Sequence, residues 1–220
     1  MGQSAFKPTC VYCGNRKGTT RDHVPPKNLF PKPRPDLITV PCCERCRQGQ
    51  SLDDEYFVRM IAIRNDVGRH PAIAPVIGAI HRSFTKPSKI RFTGALLRSM
   101  KKSPVYSKAG LYLGHAPSYD VDLQRLCRVI ERTTRGLYFS EFKVRLPDDH
   151  ECKTYALDGF SNDNPDVARL LAIALAGKQR TFGNDVFSFW VRQIEPATLW
   201  AFVVYGRVGF MALTAPRNRR

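Results

Sequence analysis

Two cysteine pairs, Cys10-Val-Tyr-Cys13 and Cys43-Glu-Arg-Cys46, constrain this chain more than any other feature. Four thiolates in two pairs of this spacing can close a tetrahedral zinc site. The same four cysteines also admit two disulfides, although such tight pairs suit a metal in a reducing cytoplasm better than a disulfide framework. Between the pairs lies Thr20-Arg-Asp22-His23-Val-Pro-Pro26, and the interval is longer than in a simple zinc ribbon. It leaves room for a β-hairpin, with Asp22-His23 near the end of a strand over Thr19–Val24 and Leu37–Val40 as the return. Pro25 and Pro26 stop the first strand, because proline has no donor for a ladder. After the second pair, Ser51 and Asp54 form a capping-box pattern, and Tyr56, Phe57, Met60 and Ile61 recur at helical spacing. A helix is therefore expected from Ser51 to about Asn65. Cys42 is not expected to be a ligand, because Cys43 and Cys46 reproduce the spacing of Cys10 and Cys13. Cys127 is expected to pack in a helix core, and Cys152, isolated in a polar loop, is given no role.

Cys10-x-x-Cys13, Asp22-His23-Val-Pro-Pro, the run Asp36-Leu-Ile-Thr-Val-Pro-Cys-Cys43 and the helix entry after Cys46 together resemble the HNH endonucleases in their zinc-stapled form. The resemblance covers roughly the first quarter of the chain, and Arg135-Gly-Leu-Tyr-Phe139 resembles a segment downstream of the motif in some HNH-containing proteins. It implies an N-terminal zinc-bound ββα module of treble-clef form, and with the helical region and C-terminal α+β part with antiparallel strands read below, the fold class expected is α+β. It implies structural zinc on Cys10, Cys13, Cys43 and Cys46, His23 as general base, and Asp22 as ligand to a catalytic divalent ion. Asp36 lies near the place of the asparagine that braces the family's metal-binding loop. The family's second metal ligand, His or Asn, falls at Arg47 here, and a guanidinium has donors but no acceptor.

The chain carries 35 Lys and Arg against 19 Asp and Glu, a formal charge of +16. That excess favours an anionic partner, nucleic acid first and DNA before RNA, with an acidic protein or a ribonucleoprotein setting as the alternative. At 43% hydrophobic residues the chain can bury a substantial core. The segment Met1–Pro8 has no apolar core of signal-peptide length, and no stretch approaches the length of a membrane span, so a cytoplasmic setting is expected.

Gly68, His70, Pro71 and Pro75 mark a break, dividing the chain into a zinc module over residues 1–68 and a basic accessory α+β domain over 69–220 that contacts nucleic acid or a partner. Residues 1–9 form a short basic lead. Lys27–Asp36, rich in proline and base, reads as an extended surface loop that either lies along a phosphate backbone or serves as a rigid connector. Val76, Ile77, Ile80 and Phe84 mark an amphipathic helix; Lys86–Arg91 is a basic connector, and Ala95–Met100 a further short helix. Val105, Tyr106 and Leu111–Leu113 suggest extended pieces, and Lys101-Lys102 is either a solvated face or a phosphate contact. Asp120–Thr134 reads as a helix closed by Gly136, followed by a strand over Leu137–Leu146. Asn164-Pro165 marks the start of a helix running to Gly177. Val186–Ile194, Leu199–Tyr205 and Val208–Leu213 read as an antiparallel meander, with Trp190 and Trp200 as core or sheet-face residues, before a flexible basic tail over residues 215–220.

Phosphodiester hydrolysis needs a base for water, positive charge on the phosphoryl oxygens and neutralisation of the leaving oxygen. On the HNH reading, His23 meets the first need, and magnesium or manganese on Asp22 meets the others. Arg47 then admits two accounts. Either the site has lost its metal and binds nucleic acid without cleaving it, or another acceptor completes the site while Arg47 clamps the phosphate. Asp36 and the acids Asp53, Asp54 and Glu55 are the candidate acceptors, the last three also matching the positive end of a helix starting at Ser51.

Overall fold

The hairpin expected around Asp22-His23 forms. Strand β1 (Thr20–Val24) runs antiparallel to β2 (Ile38–Cys42), setting Asp22 opposite Val40 and His23 opposite Thr39. The computed structural model describes residues 8–84, 90–107, 109–157 and 164–217. The basic lead over residues 1–7, the connector residues 86–89 and the last three residues of the tail lie outside the described residues, as does the Phe84 side chain. The segment joining the strands is more than a surface loop. A 3-10 turn at Lys27–Leu29 buries Leu29 and Phe30, and the Tyr205 hydroxyl donates to the Leu29 carbonyl at 2.6 Å.

Helix α1 spans Glu44–Ala62 and begins one residue after a zinc-type cysteine, seven residues before the expected capping box. Its N-cap is Cys43, in extended backbone and without a side-chain cap. Ser51 lies inside the helix and donates to the Gln48 carbonyl at 3.0 Å. Sequence periodicity missed the first two turns because they carry no apolar stripe; burial is continuous only from Tyr56 to Ala62.

Helix α4 corrects a second expectation. With α2 (Ile73–Phe84) and α3 (Ile90–Ser99) before it, α4 runs from Leu123 to Phe142, so Gly136 is interior and Leu137–Phe142 is helix rather than strand. Gly136 is there because α4 crosses β1 closely: a Cβ would sit 2.6 Å from Val24 Cγ2. The helix packs on α1, on both strands of the hairpin and on the C-terminal sheet.

That sheet has five strands in the order β5-β9-β8-β7-β6, all antiparallel: β5 (His150–Ala156), β6 (Lys178–Phe182), β7 (Phe187–Ile194), β8 (Ala197–Val204) and β9 (Val208–Pro216). The three-strand meander was expected; β5 and β6 were not, and Cys152 lies on β5 rather than in a loop. One sheet face buries Trp200 and Phe202 beside Phe142, Phe187 and Phe189, with Phe57 of α1 against Phe210. The other takes α5 (Pro165–Leu175) over Ala174, Leu199 and Ala201. Asn164 caps α5 as expected, its side chain accepting from the amides of Asp166 and Val167.

The chain groups into two compact units. One draws on Met1–Val76 and Leu123–Arg220, so the hairpin, α1, α4 and the five-stranded sheet belong together, a division that differs from a boundary at residue 68. The other, Ile77–Asp122, holds α3 and a separate hairpin of β3 (Lys101–Tyr106) and β4 (Tyr112–Ser118).

Candidate functional site

Cys10 and Cys13 sit in a tight turn before β1, where the Gly14 amide donates to the Cys10 carbonyl at 2.9 Å and Gly14 takes a φ of +66°. Cys43 and Cys46 sit at the start of α1. The pairing of β1 with β2 brings these two places together, and the four sulfurs lie within 4.8 Å of one another, Cys13 and Cys43 at 3.9 Å. Sulfurs about 2.3 Å from a tetrahedral zinc stand roughly 3.8 Å apart, so the group can hold a metal ion such as zinc. Burial would raise the Cys13 thiol, but the Asn15 and Arg16 amides and the neighbouring cysteines outweigh it and bring it to about 6. The Cys46 amide likewise lowers Cys43. Backbone donors aimed at sulfur favour thiolates, the form a metal binds. Cys42 is buried beside the cluster with its thiol pushed up to about 12, first by burial and then by the charge of Cys10; burial raises Cys46 as well, and it is the convergence of the other four sulfurs that leaves Cys42 out.

Asp22 lies behind this cluster in a polar network. The Tyr12 hydroxyl donates to Asp22 Oδ2 at 2.7 Å, and the His23 amide donates to Oδ1 at 3.1 Å. From α4, Arg132 places Nε 3.7 Å from Asp22 Oδ2 and pairs through Nη2 with Asp54 of α1. The Arg132 side chain is 7% exposed, so these two carboxylates are what keep its charge in the interior. Burial would lower its pKa, and Asp54, Asp22 and Tyr12 more than restore it. Burial pushes the Asp54 carboxyl up, with Arg132 pulling against it. Asp53 next door takes Arg125 at 2.7 Å and Arg128 at 2.8 Å. The acids read from sequence as a helix-end match therefore lie mid-helix: Asp53 and Asp54 meet an arginine stripe on α4, and Glu55 pairs with Arg59 of α1 itself.

A cleft of about 340 Å³ opens beside the network, lined by Asp22, His23 and Lys27 from the hairpin side and by Glu44, Arg47 and Asp54 from α1, among others. Burial, then the Lys27 ammonium, lowers the His23 pKa below the usual imidazole value, leaving a ring that is neutral at neutral pH. Arg47 lines the same cleft half-exposed, its guanidinium bound to Glu44 at 2.6 Å. Asp36 is exposed and does not line the cleft. Of the sequence candidates, the structure thus brings together Asp22, His23 and Arg47, with Asp54 added from the helix after the second cysteine pair. Sequence reading missed Arg132. The signal was present in Arg125, Arg128 and Arg132, three and four residues apart on one strongly amphipathic helix.

Among the described residues, the four cysteines are the one group of three or more His, Cys, Asp or Glu side chains whose ligand atoms converge. Also among the described residues, no helix is long and apolar enough to cross a membrane. Compared with known family models, curated proteins and solved structures, the chain matches none.

Proposed function

We propose that this protein is a metal-dependent endonuclease of HNH type, built on a treble-clef module and hydrolysing phosphodiester bonds in nucleic acid, most readily DNA. The observation that carries the reading is His23 in a cleft shared with Asp22 and rimmed by Arg21, Lys27 and Arg47, one strand away from a four-cysteine centre. In this reading His23 accepts a proton from water, and the rim cations seat the phosphate. Asp22 offers oxygen to a divalent ion: a carboxylate has about four lone-pair sites, and Tyr12, Arg132 and the His23 amide do not fill them. Asp54 and Glu44 are further carboxylates in the cleft wall, and magnesium or manganese needs one or two such ligands beside water. When bound, such an ion supplies positive charge against the charge developing on the phosphoryl oxygens.

A second reading has its own support. Arg132 already places a positive charge on Asp22 and Asp54, which weakens their attraction for a cation and suits a module that binds nucleic acid without cutting it, within a larger nucleoprotein assembly. Supercoiled plasmid incubated with the wild-type protein distinguishes the two. Open-circle product that requires magnesium or manganese supports the endonuclease; binding with no cleavage under any divalent ion supports the silent module.

A further inference from the structure

The unit Ile77–Asp122 holds eight Lys and Arg against two Asp, a concentration of charge that the four-cysteine centre and its cleft do not use. Its β3–β4 hairpin has two unlike faces. On one, Ser103, Gly114, Ala116 and Ser118 are partly covered, with the hydroxyls of Ser103 and Ser118 2.6 Å apart. On the other, every side chain is exposed: Lys102, Pro104 and Tyr106 from β3, and Tyr112, His115 and Pro117 from β4. Tyr106 and Tyr112 are 59% and 50% exposed, their ring centroids 5.7 Å apart, and His115 stands 5.7 Å beyond Tyr112. A hydrogen bond of 2.7 Å between the Tyr112 hydroxyl and His115 Nδ1 fixes that pair. An irregularity at Val105/Tyr106, opposite Gly114 with its φ of +119°, brings Tyr112 and His115 onto one face although they are three residues apart.

We infer that this face is a binding platform for single-stranded nucleic acid, with unpaired bases stacking on Tyr106 and Tyr112 while Lys102 on the same face contacts the phosphates. Among the described residues, the Lys102 ammonium has no ion-pair partner. Exposed aromatic rings leave apolar area in water, and a single strand covers them with base π-faces while its phosphates meet the neighbouring lysine. A duplex offers the phosphates but keeps its base faces stacked, so the tyrosines favour the single strand. The inference rests on nucleic acid being the partner, as the proposed function holds, and adds a second contact surface on the unit that does not carry the His23 cleft.

The test is fluorescence anisotropy with a labelled thymidine oligonucleotide of about 20 nucleotides and a duplex of equal length, in low salt without added divalent ion. The variant Tyr106→Ala/Tyr112→Ala should bind the oligonucleotide about tenfold or more weaker than wild type and lose much less on the duplex. Tyr106→Phe/Tyr112→Phe, which keeps the rings, should restore binding. His23→Ala should keep oligonucleotide binding even if it abolishes cleavage, so failure of the nuclease reading leaves this result standing. Oligonucleotide affinity equal to wild type in a folded alanine variant would overturn the inference, as would a wild type that dimerises through this face and separates in that variant without change in affinity.

Discussion

The Arg132 guanidinium of α4 stands 3.7 Å from Asp22 on β1 while also gripping Asp54 of α1, so one buried cation ties three elements together behind the candidate cleft. Arg132→Met keeps much of the side-chain volume but leaves two carboxylates without their partner. Breaking such a pair typically costs about 3–5 kcal/mol. Urea unfolding should show a loss of that order, and a loss well under 1 kcal/mol would mean that water already screens the network.

Each chain should carry one zinc, held by Cys10, Cys13, Cys43 and Cys46. Elemental analysis should return a ratio close to one, and Cys43→Ser should lower it while leaving Cys42→Ser at the wild-type ratio, because Cys42 lies outside the converging group. Metal binding at such a centre is coupled to folding, so Cys43→Ser should expose the hairpin and the start of α1 to proteolysis before the C-terminal sheet. Zinc-free protein with the hairpin intact would contradict this.

Glu141, 7% exposed near the end of α4, bridges to Lys178 at 2.6 Å and Arg180 at 3.0 Å on β6. Burial would raise its carboxyl, but the two cations outweigh burial and hold it below the usual carboxylate range. A depressed carboxyl stabilises the fold above its unfolded pKa of about 4.3, and that contribution is lost as pH falls through the lower folded value. Because both cations are well exposed, Glu141→Gln should cost about 1 kcal/mol at pH 7. Chemical denaturation across pH should show the difference between wild type and variant shrinking below pH 4; a difference independent of pH would remove the ion pairs as its cause.

What was legible in the sequence was whatever depends on local chemistry. Asn164-Pro165 announced the cap of α5, and alternation announced β7, β8 and β9, because cap and pleat are written in neighbouring residues. The paired thiols announced their own cluster. The start of α1 was not legible, because Cys43 and the metal-type turn set it rather than a side-chain cap, and the capping pattern at Ser51 was a decoy inside the helix. Gly136 looked like a helix end and is a contact surface for Val24, a relationship 112 residues long that no local rule contains. Arg132 escaped for the same reason: its meaning depends on Asp22 and Asp54, which only the packing of α4 on the hairpin and α1 brings near.

Arg47 separates a phosphate clamp from a replaced ligand. Its side chain lines the cleft beside His23 and is held by Glu44 from one turn before. If Arg47 clamps a phosphate, Arg47→Ala should weaken DNA binding and reduce the slope of log affinity against log salt by about 1, as loss of one phosphate contact requires. If Arg47 instead stands where a metal ligand was lost, Arg47→Asn puts a carbonyl oxygen at the cleft wall, a ligand that suits a hard cation, and should raise magnesium-dependent cleavage. Unchanged binding and cleavage in both variants would show that position 47 serves only Glu44.

The most direct measurement on the proposed activity is the single-turnover rate of plasmid cleavage in magnesium or manganese by wild type and by His23→Ala. A general base contributes about 10²- to 10⁴-fold, so the variant should cleave at least about a hundredfold more slowly while retaining its zinc, its fold and its DNA affinity. Equal rates in the two proteins would contradict His23 as the base and move the chemistry out of this cleft.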